Sequence, residues 1–304
     1  LQNREPKLRA DDLTPVEWKA DPELEWCPPG HGDIYTALLA SGLLDALLDK
    51  GYRYAMTANS DNLGAAPSAR IAGWFAASGA PYAPEMCRRT PADVKGGHLA
   101  VRKSDGRIIL RDTAQTPEDQ MHYFTDQFRH PFFHTNNLWF DLKVLRDTLA
   151  DRGGILGLPL IRNSKTVDPA DSSSTPVIQL ETAMGAAVEA FEGATAIEVP
   201  RSRFLPVKTT NDLLLVRSDV YEVDDDGLLQ MVPDQACTVS LDPRFYKKIQ
   251  DFEARFPNGV PSIKDAQSLT VEGDWTFGTD VVATGEAHVE AGGSPGRIAD
   301  GTRI

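Results

Sequence analysis

The segment 27–33, with the sequence CPPGHGD, concentrates residues that could line a ligand site. Proline fixes the backbone φ near about −65°, while glycine lets another group approach the backbone closely, so residues 28–30 should form a rigid bend with an open face. His31 and Asp33 follow directly, where a helical pattern starts. Two interpretations are open from these residues: a shelf for a ligand, or a tight loop before a helix that Asp33 caps.

Four small polar residues, Asn59, Ser60, Asp61 and Asn62, end a β-rich run. A single aspartate at a strand end can hold a Mg²⁺ ion that keeps several waters and contacts substrate phosphates, and asparagine amides suit sugar hydroxyls. The same residues also suit an Asx-rich turn without a ligand. The pattern therefore predicts either a binding site around Asp61 or a structural turn.

Three later segments add candidate binding groups. The glycines of KGGH leave the backbone around Gly97 open to close approach, and the amides of HTNN, including Asn136, can donate and accept hydrogen bonds at once. The proline-stiffened loop SRFLPVKTT presents Lys208, whose ammonium could neutralise phosphate oxygens without proton transfer. The structural alternatives are a turn, a buried amide, and a surface lysine before a Thr-capped helix.

The elements that would position these groups follow from hydrophobic spacing. Apolar residues at three- and four-residue steps predict helices over 33–50 and 67–78 with a strand over 52–58 between them, an order typical of a parallel α/β sheet. In such sheets ligands bind beyond the carboxyl ends of the strands, where Asn59 and its neighbours would lie. The later predictions are a hairpin over 96–112, a strand, polar corner and helix over 131–151, a loop over 163–176, a helix over 177–193 from near Gln179, and a strand, basic loop and helix over 195–223, the helix starting near Thr210.

The pattern changes towards the C-terminus. The acidic run 224–227 predicts a solvated turn that closes an α/β domain of residues 1–223, and the proline-punctuated stretch 224–266 predicts a partly helical connector. From 267 to 304, very short β runs alternate with polar corners, which suits a parallel β-solenoid whose open end could pack against another chain. An antiparallel β-meander is the alternative.

The charge balance argues against several classes of function. Lys and Arg number 31 against 44 Asp and Glu, giving a net charge of −13, and no long basic run occurs, which argues against nucleic acid and an anionic membrane as partners. The apolar segments are too short to span a bilayer. Cys27, Cys87 and Cys237 are too few and too scattered for a disulfide framework or a CxxC metal pair. These features favour a globular protein of the cytoplasm.

Seven segments, taken in order, carry a family resemblance: QN at the start, PPGHGD, NSDNLGA, DVKGGHLA, FHTNNLW, VIQLETAMGAA and RSRFLPVKTTNDLLLV. They occur in the same order in the eukaryotic-type UTP–glucose-1-phosphate uridylyltransferases, or UDP-glucose pyrophosphorylases, which the chain closely resembles over essentially all 304 residues. The resemblance implies a Rossmann-like nucleotidyltransferase mixed sheet, incomplete at its N-terminal side, followed by a left-handed parallel β-helix. Some members use that β-helix for oligomer contacts, which implies a homo-oligomer here.

The resemblance also implies roles for individual residues. Gln2 would contact the uracil side, Gly30 the nucleotide, and His31 the glucose phosphate. A further group would hold the sugar phosphate and, through its aspartate, Mg²⁺: Asn59, Ser60 and Asp61.

On the sugar side the resemblance implies that Asn136 holds the hexose, with Gly97 as a further substrate-binding position, and that Lys208 is the main catalytic group and phosphate binder. The implied reaction transfers UMP from UTP to glucose 1-phosphate, reversibly giving UDP-glucose and pyrophosphate by an in-line displacement assisted by Mg²⁺ and lysine. Two alternatives stay open: a broad-specificity UDP-sugar pyrophosphorylase, and a non-catalytic UDP-sugar-binding or assembly module.

Two departures from the family pattern stand out. His134 occupies a position where the family usually has asparagine. The family's glycine-rich phosphate loop, L-x-GG-x-GT, and the lysine beyond it do not occur in the 304 residues. Because backbone amides of that loop would cradle the triphosphate, we expect this chain to be a fragment or to receive its upstream half separately.

Overall fold

The computed structural model describes residues 2–90, 93, 96–113, 116–290, 292 and 295–304. The chain forms two compact units, of which the first comprises Leu1–Ala58 and Pro67–Val199, and the second comprises Asn59–Ala66 and Pro200–Ile304. The domain boundaries predicted after residues 223 and 266 stay predictions.

In the described residues, the first unit contains a central four-stranded mixed sheet, a three-stranded sheet and two strand pairs. Its strands are β1 (Glu5–Pro6), β2 (Leu8–Arg9), β3 (Trp26–Cys27), β4 (Tyr54–Thr57), β5 (Tyr82–Arg88), β6 (His98–Val101), β7 (Ile108–Arg111), β8 (Phe132–Asp141), β9 (Leu160–Thr166), β10 (Pro176–Thr182) and β11 (Ile197–Glu198). Its helices are α1 (Ile34–Ala40), α2 (Leu43–Asp49), α3 (Ala69–Ser78), α4 (Met121–Phe124) and α5 (Leu142–Asp151), with a 3₁₀ helix over Met184–Ala190.

The central sheet has the strand order β11-β5-β8-β4, the three-stranded sheet has the order β2-β10-β9, and the two strand pairs are β1–β3 and β6–β7. Strand β8 runs antiparallel to both β5 and β4, and β11 is parallel to β5, so the prediction of a parallel sheet is wrong while a mixed α/β fold is confirmed. The helix-strand-helix order of residues 33–78 carries no information about β8, which comes later in the chain and inserts between β4 and β5.

Several local predictions hold, because their signals are local. The hairpin β6–β7 pairs antiparallel, and α3 begins after Ser68, whose side chain accepts a hydrogen bond from the Ile71 N–H. The predicted helix 33–50 is broken at Gly42, which has a φ of +71° and separates α1 from α2. The short strand and polar corner predicted within 131–151 are instead one continuous strand, β8, and the helix that follows is confirmed as α5.

The predicted helix 177–193 is wrong. Residues 176–182 form β10, which pairs with β9 over seven residues, and only the following Met184–Ala190 is helical, as a 3₁₀ helix. The loop predicted over 163–176 is confirmed for residues 167–175, whereas its first residues belong to β9 and its last to β10. Pairing of β10 with β9 on one side and with the N-terminal β2 on the other overrides the helical spacing of residues 177–193.

The second unit begins with a short loop and ends in parallel strands. Its helices are α6 (Thr210–Arg217), α7 (Pro243–Tyr246) and α8 (Ile249–Arg255), and its strands are β12 (Tyr221–Val223), β13 (Leu229–Met231), β14 (Thr238–Leu241), β15 (Ala266–Val271), β16 (Trp275–Phe277), β17 (Gly285–Val289) and β18 (Gly296–Ile298). Helix α6 starts where the sequence predicts it.

The C-terminal strands pair in parallel, in the order β14-β15-β17 and in the pair β16–β18, so an antiparallel meander is wrong for this part of the chain. One hydrophobic core joins these strands to earlier residues, including Leu214 and Val220. Tyr246 and Phe252, in the stretch predicted as a connector, are fully buried in that core.

None of the helices in the described ranges has the length and apolar character that crossing a bilayer requires. Cys27, Cys87 and Cys237 are buried, and none of these three described residues forms a disulfide.

Candidate active site

The loop 29–32 of the first unit packs directly on the end of β10. Thr182 N donates to Pro29 O at 2.9 Å, and Gly30 has a φ of +83°. A Cβ on Gly30 would lie 2.6 Å from Thr182 O, well inside contact distance. Both the left-handed backbone and the close approach therefore require glycine at this position.

The N-terminal segment is hydrogen-bonded to the same loop. Gln2 Nε2 donates to Gly30 O at 3.1 Å, and Asn3 donates to the Asp33 carboxylate from its backbone N at 2.9 Å and from Nδ2 at 2.7 Å. Asp33 makes no side-chain capping bond to α1, so its interpretation as a helix cap is wrong. The predicted pair Gln2 and Gly30 is thus in direct contact.

His31 is fixed through the start of the 3₁₀ helix. Met184 N donates to His31 Nδ1 at 2.9 Å, while the hydroxyls of Tyr35 and Tyr82 donate to Met184 O at 2.9 and 3.0 Å. Partial burial of the ring lowers the pKa of His31, and nearby carboxylates oppose this in part. Because Nδ1 accepts a hydrogen bond, the neutral ring carries its proton on Nε2, which leaves a donor for an oxygen of a ligand.

A β-bulge in β8 positions Asn136. Pro84 of β5 pairs with Leu138 of β8, and Met86 pairs with His134, so one residue of β5 lies opposite three residues of β8. Asn136 lies in the middle of that bulge with a φ of +64°. Bulges re-aim side chains near functional sites, and the binding role of this amide stays a prediction.

His134 and Asn136 both pack against Gly185. Asn136 N donates to His134 Nδ1 at 3.0 Å. A Cβ on Gly185 would lie 3.1 Å from Asn136 Oδ1 and 3.1 Å from His134 Nε2. His134 Nε2 is buried and has no hydrogen-bond partner within the described ranges. Glycine at 185 is what lets the two polar side chains reach the 3₁₀ helix.

Gly97 completes the group and brings in a carboxylate that the sequence did not single out. His134 N donates to Gly97 O at 2.7 Å, and a Cβ on Gly97 would lie 3.2 Å from Asp112 Oδ2. Burial lowers the pKa of His31, and the carboxylates of Glu181 and then Asp112 oppose this lowering in part. The sequence signal that could have identified Asp112 was its position at the end of the second strand of the predicted hairpin. Lys95, in the KGGH segment, lies outside the described residues.

The first unit therefore brings five predicted site residues onto one continuous set of contacts around residues 182–185: Gln2, Gly30, His31, Gly97 and Asn136. Sequence reasoning missed Met184 and Gly185, because it assigned their segment to an ordinary α-helix.

In the second unit the loop of Asp61 is joined to the loop of Lys208. Val207 N donates to Asp61 O at 2.8 Å, and Leu63 N donates to Leu205 O at 3.0 Å. Asn59, Ser60 and Asp61 thus lie on a segment bonded to the residues that immediately precede Lys208.

The side chain of Asn62 holds the loop of Asp61 against the loop of Lys208 through hydrogen bonds. Its Oδ1 accepts from Leu205 N at 2.8 Å and from Gly64 N at 3.2 Å, and its Nδ2 donates to Arg203 O at 3.1 Å. The bond to Gly64 is an Asx turn, so the structural interpretation of the polar run is correct for Asn62.

Asp61 provides a test of whether a cation fits this loop. Its Oδ1 is buried and has no hydrogen-bond partner among the residues that the structure describes. A buried, unpaired carboxylate oxygen is costly, and a bound cation would offset that cost. Within the same residues, no group of three or more His, Cys, Asp and Glu side chains is arranged to hold a metal. A single carboxylate fits a Mg²⁺ ion that keeps waters and phosphate oxygens as its other ligands.

Lys208 is exposed and immediately precedes a strongly capped helix. Its backbone N donates to Asp212 Oδ2 at 3.0 Å, and Thr209 and Asp212 form a capping box at the start of α6. The predicted Thr-capped helix is thereby confirmed. The cap fixes the backbone that carries the lysine, while its ammonium stays available to an anion.

Two histidines predict acid sensitivity of the first unit: His98 is buried, and His134 is half-buried with a buried Nε2. Burial lowers the pKa of His134 from 6.5 to about 4 and that of His98 to about 3, with His31 and His130 adding repulsion. The unfolded chain takes up these protons near pH 6.5 while the folded chain excludes them, so the free energy of unfolding falls as the pH drops below that value. We expect a loss on the order of 2 kcal/mol per histidine between about pH 6.5 and 5.

Urea unfolding at a series of pH values measures this loss. In the variant His98→Leu, the free energy of unfolding should fall less steeply with decreasing pH, because the contribution of His98 is removed. A stability that stays constant down to about pH 5 would contradict the assignment.

Comparison with known proteins relates this chain to one protein family. The model of the family described as UTP–glucose-1-phosphate uridylyltransferase matches residues 1–283. The protein of that name from Solanum tuberosum is 40% identical over 295 residues, covering 95% of this chain and 60% of the relative. The one from Saccharomyces cerevisiae is 40% identical over 288 residues, covering 93% of this chain and 56% of the relative. The chain thus spans about 60% of the length of these relatives.

Solved structures agree with the sequence comparison. A variant of UDP-glucose pyrophosphorylase from Leishmania major in complex with UDP-glucose has a TM-score of 0.88 and 46% identity, covering 99% of this chain and 66% of that one. UDP-glucose phosphorylase from Trypanosoma brucei has a TM-score of 0.83 and 43% identity, covering 100% of this chain and 67% of that one. On these matches, this chain belongs to the UTP–glucose-1-phosphate uridylyltransferase family.

Proposed function

We propose that this chain carries the substrate-binding and catalytic residues of an enzyme that transfers UMP from UTP to glucose 1-phosphate, reversibly giving UDP-glucose and pyrophosphate. The observation that carries the proposal is the buried Oδ1 of Asp61, which has no hydrogen-bond partner among the described residues and lies on a loop hydrogen-bonded to the loop of Lys208, in a chain of this family. A metal-binding carboxylate and a phosphate-binding lysine held on adjacent loops are the groups that such a transfer needs.

In the proposed reaction, a phosphate oxygen of glucose 1-phosphate attacks the α-phosphorus of UTP. The bond from that phosphorus to the bridging oxygen breaks, and pyrophosphate leaves with the bonding pair. This displacement makes alignment and charge neutralisation the main demands on the protein. The Lys208 ammonium would neutralise phosphate oxygens, and Asp61 would hold Mg²⁺, which when bound neutralises further phosphate charge.

The remaining residues would bind and orient the substrates. Gln2 and Gly30, joined by a hydrogen bond, would contact the nucleotide, and His31 would donate from Nε2 to the sugar phosphate. Asn136 and Gly97 would meet the hexose. Two residues of the Asp61 loop, Asn59 and Ser60, would complete the sugar-phosphate contacts.

We further propose that the C-terminal strands wind into a left-handed β-helix and provide a contact between copies of the chain. The parallel pairing of β14, β15 and β17 supports this, since parallel coils end in an open edge. A cytoplasmic location is supported by three buried cysteines that are not joined in disulfides, which suit a reducing compartment.

The experiment is formation of UTP from UDP-glucose and pyrophosphate by the purified natural protein, with and without Mg²⁺. We expect metal-dependent turnover, and we expect Asp61→Asn to raise the Mg²⁺ concentration for half-maximal rate about tenfold or more, because it removes the charge that holds the ion. Binding of UDP-glucose without any metal-dependent turnover would identify a non-catalytic module instead. Equal rates with galactose 1-phosphate in the forward direction would identify a broad-specificity enzyme.

A further inference from the structure

We infer that His134 is a positioning residue, whose imidazole holds Asn136 in the left-handed backbone conformation from which the Asn136 amide meets the substrate. The inference rests on the proposed function, which assigns Asn136 to the hexose. It adds a residue that acts through Asn136.

The hydrogen bond between the two residues fixes the state of the ring. Asn136 N donates to His134 Nδ1 at 3.0 Å, so Nδ1 carries a free lone pair and no proton. Burial, and then repulsion from His31, lower the pKa of His134 to about 4. The ring is therefore neutral near neutral pH, and its proton is on Nε2.

The backbone of Asn136 needs such support. Asn136 has a φ of +64°, and a positive φ is uncommon for a residue other than glycine. Among the described non-glycine residues, a positive φ occurs only at Leu13, Asn136 and Asp280. Conformations of this kind persist when surrounding contacts over-determine them. Here the contacts are the bulge of β8 and the bond from the imidazole two residues upstream.

The geometry of that bond is the one that an Asx turn uses. An asparagine two residues upstream offers Oδ1 to the same backbone N–H, within one turn of chain. The Nδ1 of His134 takes the place of that oxygen. Asparagine at 134 should therefore preserve the function, and an apolar side chain of similar size should not.

The imidazole is held from its other side as well. A Cβ on Gly185 would lie 2.8 Å from His134 Cε1, which leaves the ring little freedom to turn away from Asn136. His134 N also donates to Gly97 O at 2.7 Å, which anchors its backbone. The acceptor is thus fixed in place before any ligand arrives.

The test compares His134→Leu with the matched variant His134→Asn in the natural protein. For His134→Leu we expect the KM for glucose 1-phosphate to rise about tenfold, with the KM for UTP changed by less than about twofold. His134→Asn should restore the KM for glucose 1-phosphate to within about threefold of wild type. In an Asn136→Ala background, His134→Leu should add less than about twofold, because the group that it positions is already gone.

A measurement that needs no turnover accompanies the kinetics. The ¹⁵N resonances of the His134 ring, assigned with His134→Asn, should report an unprotonated Nδ1 and a protonated Nε2 near neutral pH. A protonated Nδ1 would overturn the inference, even if His134→Leu fails to fold.

The outcomes separate the two proposals. If the wild-type protein shows no metal-dependent turnover, the proposed function fails, and the assignment of Asn136 to the hexose fails with it. If the wild type turns over but His134→Leu behaves like wild type, or if its effect adds fully to that of Asn136→Ala, the proposed function stands and the positioning role is wrong.

Discussion

Replacing Lys208 with alanine is expected to lower kcat for UDP-glucose formation by a factor of about 10²–10³, with a much smaller change in the KM for either substrate. The physical reason is that negative charge builds on the phosphate oxygens as the displacement proceeds, and a lysine on a rigid backbone neutralises it without moving. Thr209 and Asp212 supply that rigidity through the capping box of α6. Steady-state kinetics in both directions measure the effect.

Two further variants make this result specific. Lys208→Arg keeps the positive charge and should recover part of the rate, although its planar group matches a point-charge site imperfectly. Lys248→Ala removes another exposed lysine at a helix start in the same unit and should leave the rate unchanged. A Lys208→Ala rate within a few-fold of wild type would remove Lys208 from the catalytic role.

The second large effect is expected at Gly30. Gly30→Ala forces a left-handed φ on alanine and places its Cβ 2.6 Å from the backbone oxygen of Thr182, which belongs to a paired strand and cannot yield easily. The loop must move, and the bond from Gln2 to Gly30 O and the position of His31 move with it. We expect a rise of about tenfold or more in the KM for UTP and a loss of about 2–4 kcal/mol in the free energy of unfolding.

Gly51→Ala is the matched control for this variant. Gly51 has nearly the same backbone, with a φ of +86°, but a Cβ there meets nothing within 4 Å. Gly51→Ala should lower the free energy of unfolding only by the energy of the left-handed backbone, about 1–2 kcal/mol, and should leave the kinetics unchanged. If Gly30→Ala and Gly51→Ala lose equal stability and both keep wild-type KM values, the close packing of the loop on β10 is irrelevant to nucleotide binding.

Local signals in the sequence were enough for part of the fold. Helix α3 follows from Ser68 at its start and Gly79 at its end, and α6 follows from the Thr209 cap. Neither needs information from elsewhere in the chain. The hairpin β6–β7 is a similar case, since its two strands are neighbours in sequence.

The errors fall where strand pairing, rather than the spacing of apolar residues, decides the structure. The spacing of residues 177–193 is compatible with a helix, and only the seven-residue pairing of β10 with β9 makes its first part a strand. The bulge that holds Asn136 is likewise created by the register between β5 and β8, which no local pattern in FHTNN specifies.

The residues of the candidate site also fall into two groups: those that the local sequence could indicate and those that only contacts in the folded chain reveal. Gly30 and Gly97 could be selected from sequence because glycine at a close approach is itself the signal. Met184 and Gly185 could not, because their roles come from contacts with His31, His134 and Asn136 across the fold. For the same reason Asn62 looked like a ligand group, whereas its amide is used by Leu205 and Arg203.

The assignment of residues 59–66 to the second unit has a consequence for biosynthesis. The bonds from Asn62 to Arg203 and Leu205 span 141 and 143 residues. At a translation rate of about 5–20 residues per second, the segment with Asp61 waits roughly 7–30 s on the ribosome for its partners. Strands β4 to β10 emerge and can pair during that interval, whereas the loop of Asp61 cannot. The proposed metal-binding carboxylate is thus buried late in synthesis, so a nascent chain that stalls before residue 205 would carry a folded sheet and an unfinished cation site.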